Sequence, residues 1–182
     1  AAERVPVVLT TGRAWLGTKL IIDEVGLPAG PVICSNGAQI LRFPPLEIVH
    51  EVRFDPADTI EKVLKVAPNA LVAVQDGVHW RGSKPFPPGE LTGVSGIETL
   101  EELSSRPVTR VVIRDPESDE DIFLRMASSL GLHGVSYYVG WSAWMDIAPL
   151  GVDKAQALER VCSELGVDRS HVLAVGDGRN DI

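Results

Sequence analysis

The sequence predicts an α/β protein, a doubly wound core on a parallel sheet with a second, α+β domain inserted into it. Two observations carry this reading. Three short apolar runs are continuous rather than alternating, and each ends in small, polar or glycine residues, as strands buried on both faces of a parallel sheet do. Between the second and third runs lies a long stretch with its own mixture of strand-like and helical patterns, which marks an insertion.

The elements follow in order. Val5–Leu9 is the first apolar run and leads into Thr10-Thr11-Gly12-Arg13. Residues 14–25 are helix-like and stop at Gly26, with Pro28 just beyond. Pro31–Cys34 is the second run and leads into Ser35-Asn36-Gly37-Ala38. Ile48–Phe54 reads as a strand. Asp55-Pro56 then opens a helix through Ala67, with Ile60, Val63, Leu64 and Ala67 on one face. Leu71–Gln75 is a strand. Residues 77–96 hold many Gly and Pro with little periodicity, and a connection that long is functional or mobile. A short helix over Gly96–Ser104, a strand over Val108–Arg114 and a helix over Ser118–Leu130 come next. Val135–Val139 and Ala143–Ala148 are strands. Residues 153–165 form the clearest helix, with Leu158, Val161, Cys162 and Leu165 on one face. Asp153 can cap it, Gln156 sits at the capping-box return position, and Gly166 can end it. Val172–Val175 is the third apolar run, ending in Gly176-Asp177-Gly178.

Composition bounds the function. The chain has 182 residues, 45% hydrophobic and 23% charged, which is ordinary globular composition and argues against disorder. No run is apolar enough to span a bilayer, and the first residues lack a secretory pattern. The net charge of −8 disfavours binding to nucleic-acid backbones. A phosphorylated small molecule would need local positive charge or a metal. With no secretion signal, Cys34 and Cys162 read as two reduced thiols of a cytoplasmic protein.

Open α/β sheets bind ligands at the carboxyl ends of their strands. Three polar clusters stand there: Thr11-Gly12-Arg13, Ser35-Asn36-Gly37 and Asp177 to Asp181. Asp177 and Asp181 are two hard carboxylates from one short glycine-rich loop, a set that suits Mg²⁺, although a solvated turn has the same composition. Lys154 is a cation in the first turn of the best helix, where it opposes the helix dipole; an exposed lysine bending into water is the plain alternative. Thr11 can donate a hydroxyl to a phosphate oxygen or simply cap a helix. Asn36-Gly37 can present an amide to a ligand or simply make a β-turn.

Together, Leu9–Arg13, Cys34–Ala38, Gly151–Leu158 and Gly176–Asp181 resemble, in order and spacing, the motifs of the haloacid dehalogenase superfamily, and more narrowly its Cof-type branch with a large α/β cap. The resemblance implies a Rossmann-like core over residues 1–52 and 141–182, and a cap domain over 53–140. It implies that Thr11 binds the transferring phosphoryl group and that Lys154 neutralises phosphate and nucleophile. It implies that Asp177 and Asp181 hold Mg²⁺ with Asn180 beside them, and that Asn36 and Arg13 line the pocket. The implied activity is a phosphatase for small phosphorylated metabolites, sugar phosphates or similar, working through an aspartyl-phosphate. Trp80, His79, Arg81, Lys84 and Trp141 are cap positions that could meet a leaving group, but a core Trp and a solvated cation are the stronger expectations.

Family members carry an Asp-x-Asp motif on a strand upstream of everything here. This chain has no such motif, and Asp23, Asp55 and Asp58 do not end buried apolar strands. The expectation is therefore a fragment without its nucleophile, inactive by itself, with a core sheet missing its middle strand between the runs ending at Thr11 and at Asp177. Two rivals stay open: a phosphosugar mutase of the same superfamily, which would form an isomer rather than free phosphate, and a non-catalytic binding or regulatory protein.

Overall fold

The computed structural model describes residues 5–117, 134–140 and 143–176. The elements are β1 (Leu9–Thr10), α1 (Trp15–Val25), β2 (Gly30–Cys34), β3 (Gln39–Phe43), β4 (Glu47–Glu51) and α2 (Ala57–Val66). They continue with β5 (Leu71–Asp76), β6 (His79–Gly82), β7 (Val94–Ile97), α3 (Leu100–Ser104), β8 (Arg110–Arg114), β9 (Val135–Gly140), β10 (Trp144–Pro149) and α4 (Lys154–Leu165). The helix expected over Ser118–Leu130 lies outside the described residues, as does Trp141.

The chain divides into two compact units, residues 1–52 with 152–182, and residues 53–151. The first holds a sheet in the order β1-β2-β3-β4. β1 runs parallel to β2, with Leu9 opposite Val32 and Thr10 opposite Ile33. β2, β3 and β4 are successive antiparallel neighbours. Pleating sends alternate residues to opposite faces. Ile33 and Ile40 pack against Ala157 and Val161 of α4, with Val8, Val49 and Leu158 around them. On the other face, the Cys34 thiol meets the Thr18 hydroxyl of α1, and Trp15 makes a tilted ring contact with Phe43 at 5.0 Å between ring centres. Helices thus cover both faces, as a doubly wound core requires.

α1 ends at Gly26, whose φ of +68° suits a residue without a β-carbon and whose N–H reaches the Ile22 carbonyl. α4 ends the same way at Gly166, with φ +67°. Its inward stripe is shifted from the expected one: Ala157, Val161 and Cys162 are buried, whereas Leu165 is 44% exposed.

One expected strand is not formed. Val172–Val175 carries no ladder among the described residues, and Leu173 and Val175 are 88% and 89% exposed. A parallel strand is stable only when hydrogen-bonded neighbours flank it. Among the described residues β1 is paired along a single edge, to β2, and no strand flanks residues 172–175.

The second unit holds a six-stranded sheet in the order β7-β6-β5-β8-β10-β9, antiparallel except for β6 with β7. Val72, Val74, Val111, Ile113, Met145 and Ile147 alternate along β5, β8 and β10 and pack on Ile60 and Val63 of α2. Asp55 accepts the N–H of Ala57 at 3.0 Å and so opens α2. Because Trp144–Pro149 pairs with both β8 and β9, these residues complete this sheet. The return to the first unit therefore falls at Val152 rather than at 141. Residues 77–96, expected as one long connection, contain β6 and most of β7. The helix expected from Gly96 begins only at Leu100, after a capping box between Thr99 and Glu102.

Candidate active site

The polar ends of β1 and β2 are joined by backbone hydrogen bonds. The Thr11 N–H donates to the Ile33 carbonyl at 2.9 Å and so continues the parallel ladder. Past it, the Asn36 N–H donates to the Thr11 carbonyl at 3.1 Å and the Ser35 N–H to the Arg13 carbonyl at 2.9 Å. Two loops distant in sequence thus form one rim at the carboxyl end of the strands. The Thr11 hydroxyl accepts the Arg13 N–H at 3.1 Å, so it shapes this turn instead of capping α1, whose N-cap is Ala14. Arg13 is exposed at the rim.

Ser35, Asn36 and Gly37 turn the chain from β2 into β3 with φ of +53°, +54° and +101°. A left-handed backbone at Ser35 and Asn36 is costly, of order 1–3 kcal/mol each, and persists only where the surroundings impose it. Those surroundings are visible. A β-carbon on Gly12 would stand 2.8 Å from Asn36 Oδ1 and 3.3 Å from Nδ2, so the Asn36 amide lies directly on the Gly12 backbone. Asn36-Gly37 is therefore the hairpin turn that its sequence allows and also a side chain aimed at the Thr11–Gly12 loop.

The start of α4 is pressed onto the same turn. A β-carbon on Gly37 would lie 2.1 Å from the Asp153 carbonyl oxygen and 3.2 Å from the Lys154 nitrogen. Asp153 caps the helix by accepting the Gln156 N–H at 2.7 Å, and its other oxygen takes the Gln156 side-chain amide at 2.9 Å. The Gln156 N–H, then the Gln156 side chain, hold the Asp153 carboxyl below its ordinary range. Lys154 is the first residue of α4, half-buried, with no acidic residue in the first helical turn. A helix N-terminus adds its own partial positive charge to that of the lysine. The rim therefore assembles a hydroxyl, a carboxamide, close-packed backbone and a cation, which together favour an anion.

Thr11, Arg13, Asn36 and Lys154 are thus brought to one end of one sheet. Asp177, Asn180 and Asp181 lie outside the described residues, and among the described residues no three His, Cys, Asp or Glu side chains gather in a way that could hold a metal. In the second unit, Trp80 is 2% exposed and belongs to the interior. Arg81 is buried against Glu98, and His79 and Lys84 are exposed. Sequence reasoning quoted Ser35 and Thr10 within its candidate segments but gave neither a role. Nothing in a serine's identity announces a left-handed backbone, and Thr10 is masked by its neighbour Thr11.

A family model for haloacid dehalogenase-like hydrolases matches residues 2–182. No curated protein sequence matches. Among solved structures, a haloacid dehalogenase-like hydrolase from Bacteroides thetaiotaomicron superposes with a TM-score of 0.78 at 21% identity, covering 96% of this chain and 69% of that one. A second, from B. subtilis, gives 0.74 at 18% identity, covering 97% and 73%. A structure described as a subclass IIB sugar phosphatase of the superfamily gives 0.71 at 14% identity, covering 97% and 69%. With a family match running from residue 2 to residue 182 and a fold shared with these structures, the chain belongs to the haloacid dehalogenase-like hydrolases.

Proposed function

We propose that this chain carries the phosphate-handling part of a cytoplasmic, Mg²⁺-dependent phosphatase for small phosphorylated metabolites, with sugar phosphates as the leading class. The observation that carries the reading is the convergence of Thr11, Asn36 and the Lys154 end of α4 on one rim. Phosphoryl transfer asks mainly for positioning and charge neutralisation. In this reading Thr11 donates its hydroxyl to a phosphate oxygen, Asn36 offers its amide N–H groups, Lys154 neutralises the anion, and Arg13 guards the rim. Asp177 and Asp181, with Asn180 beside them, are the proposed carboxylates for magnesium, and the hard oxygen donors suit that ion. When bound, it would offset the charge of the phosphate oxygens. The substrate class is carried over from the similar structures described as phosphatases, one of them a sugar phosphatase.

The nucleophilic carboxylate implied by the family motif has no stand-in at the three acids weighed for it. Asp23 is ion-paired to Lys19, Asp55 opens α2, and Asp58 pairs with Lys62. We therefore propose that these 182 residues alone turn over no phosphate ester.

The test is phosphate release from a panel of sugar phosphates with Mg²⁺, by a protein in which these residues are joined to an Asp-x-Asp strand. Lys154→Met and Thr11→Val are expected to lose most turnover while keeping the fold. Near-normal turnover in Lys154→Met would overturn the reading. Isomer formation without phosphate release would favour a mutase, and phosphate binding without turnover a regulatory role.

A further inference from the structure

We infer that Thr10 is a positioning residue for Lys154, its hydroxyl accepting a hydrogen bond from the lysine ammonium when phosphate occupies the rim. The inference rests on the phosphate-binding reading above and adds to it a residue to which the resemblance assigns no role.

The Thr10 hydroxyl oxygen is sealed from solvent and has no hydrogen-bond partner among the described residues. A buried hydroxyl left unpaired costs roughly 1–3 kcal/mol, whereas valine, of nearly the same shape, would cost nothing of the kind. The surroundings favour valine. Thr10 stands opposite Ile33 in the β1–β2 register, on the sheet face that Val8, Ile33 and Ile40 share with Ala157, Val161 and Leu158 of α4. A polar group kept in such a cluster, at a stability cost, is the kind of local inconsistency that marks a working site.

What the hydroxyl serves follows from where it sits. α4 runs back along this face from its start at the Ser35–Gly37 turn, so its first residue lies over the carboxyl ends of β1 and β2. Ala157, one helical turn after Lys154 and on the same stripe, is already packed with Ile33, the register partner of Thr10. Among the described residues, Lys154 is the cation at that stripe's start. An ammonium has three N–H donors and no acceptor. A neutral hydroxyl beneath it takes one donor without cancelling the charge, so the full positive charge stays available to the anion. Thr11, one residue on, points to the opposite side of the strand, so the two adjacent threonines divide the work: one touches the phosphate and the other steers the lysine.

The experiment titrates inorganic phosphate, with Mg²⁺ present, into the 182-residue chain, read by ³¹P line width and by thermal shift. Thr10→Val is expected to melt no lower than wild type without phosphate, and to bind phosphate about tenfold more weakly, the loss of one charge-assisted hydrogen bond. Thr10→Ser, which keeps the hydroxyl, should bind as wild type. In a Lys154→Met background, Thr10→Val should cost nothing further, since the hydroxyl acts through the lysine. Unchanged phosphate binding in Thr10→Val overturns the proposal, as does an equal loss in the Lys154→Met background, or a lower melting temperature or failed folding of Thr10→Val without phosphate. If wild type itself binds no phosphate, the phosphate-site reading fails, and Thr10 with it. If Thr11→Val and Lys154→Met lose binding but Thr10→Val does not, only the role of Thr10 fails.

Discussion

Gly37 has no β-carbon because the carbonyl oxygen of Asp153 occupies its place, 2.1 Å from where that carbon would be. A turn read at residue 37 and a helix start read at residue 153 are thus a single packed object. Gly37→Ala meets main chain on one side and a φ of +101° on the other. It should destabilise the chain by about 3 kcal/mol or more in urea unfolding, because backbone cannot step aside cheaply. At Gly12 the obstacle is the side-chain amide of Asn36, 2.8 Å away, which can rotate. Gly12→Ala should cost only about 1 kcal/mol while displacing Asn36, so its effect on phosphate binding should exceed its effect on stability.

Asp153 links the same helix start to pH. Its carboxyl is held below the ordinary value of 3.8, chiefly by the Gln156 N–H. A depressed carboxyl stabilises the fold at pH values above its unfolded pKa, and that contribution drains away as pH falls through the folded one. Asp153→Ala should therefore cost about 1 kcal/mol near neutrality. The gap from wild type should close at acid pH, below about 4. A gap that stayed constant well below that range would show that the cap acts through shape alone.

Much of this region could be read from residue order. The helix from 154 to 165 announces itself through Asp153, Gln156 and Gly166, all local signals within a turn of its ends. Asn36-Gly37 is legible as a β-turn, but the apolar pattern places the next strand at Ile48–Phe54 and none at Gln39–Phe43, the strand that turn feeds. What could not be read is contact between segments far apart in the chain. The Asn36 amide on Gly12 and the Asp153 carbonyl on Gly37 leave no trace in spacing. β6 and β7, at four residues each, were hidden by the prolines and glycines between them. Val172–Val175 shows the opposite failure: its composition is that of a buried strand, but a strand forms only beside its neighbours.

Cys34 ends β2 with no exposed surface, and burial pushes its thiol up to about 11 although the Thr18 hydroxyl pulls it back slightly. Cys162 is also buried. Cys34 is held as the unreactive thiol and Cys162 is shielded by burial, so neither should react with an iodoacetamide-type probe near pH 8 in the folded chain. Both should react once urea unfolds it. Mass spectrometry of the labelled protein reads this directly, and fast labelling of Cys34 without denaturant would show that the sheet opens locally.

In the second unit, Arg110 grips Asp146 with two hydrogen bonds, at 2.6 and 2.5 Å, and lies over the Trp80 ring at 5.6 Å. Both charges are largely shielded from solvent. Asp146→Ala removes both of these bonds from a shielded guanidinium and should cost about 3–5 kcal/mol. Replacing both partners with apolar residues of similar size should recover most of that loss, and the difference between the two variants in thermal unfolding measures how much of the penalty is stranded charge.

The hairpin turn at Ser35–Gly37 also governs how the protein ages. Asn-Gly is the dipeptide in which an asparagine most easily loses its amide, because the following glycine nitrogen can close onto the side-chain carbonyl. Here that ring closure is opposed from both sides. Asn36 is held at φ +54° and ψ +31° with its amide laid against Gly12, and Gly37 is wedged on the Asp153 carbonyl. The fold is then the preservative: deamidation should be slow in the native chain and fast once it unfolds, as peptide mapping of aged samples would reveal. Each conversion would put a carboxylate on a rim proposed to hold an anion, so a molecule that had once unfolded would carry a lasting chemical record of it.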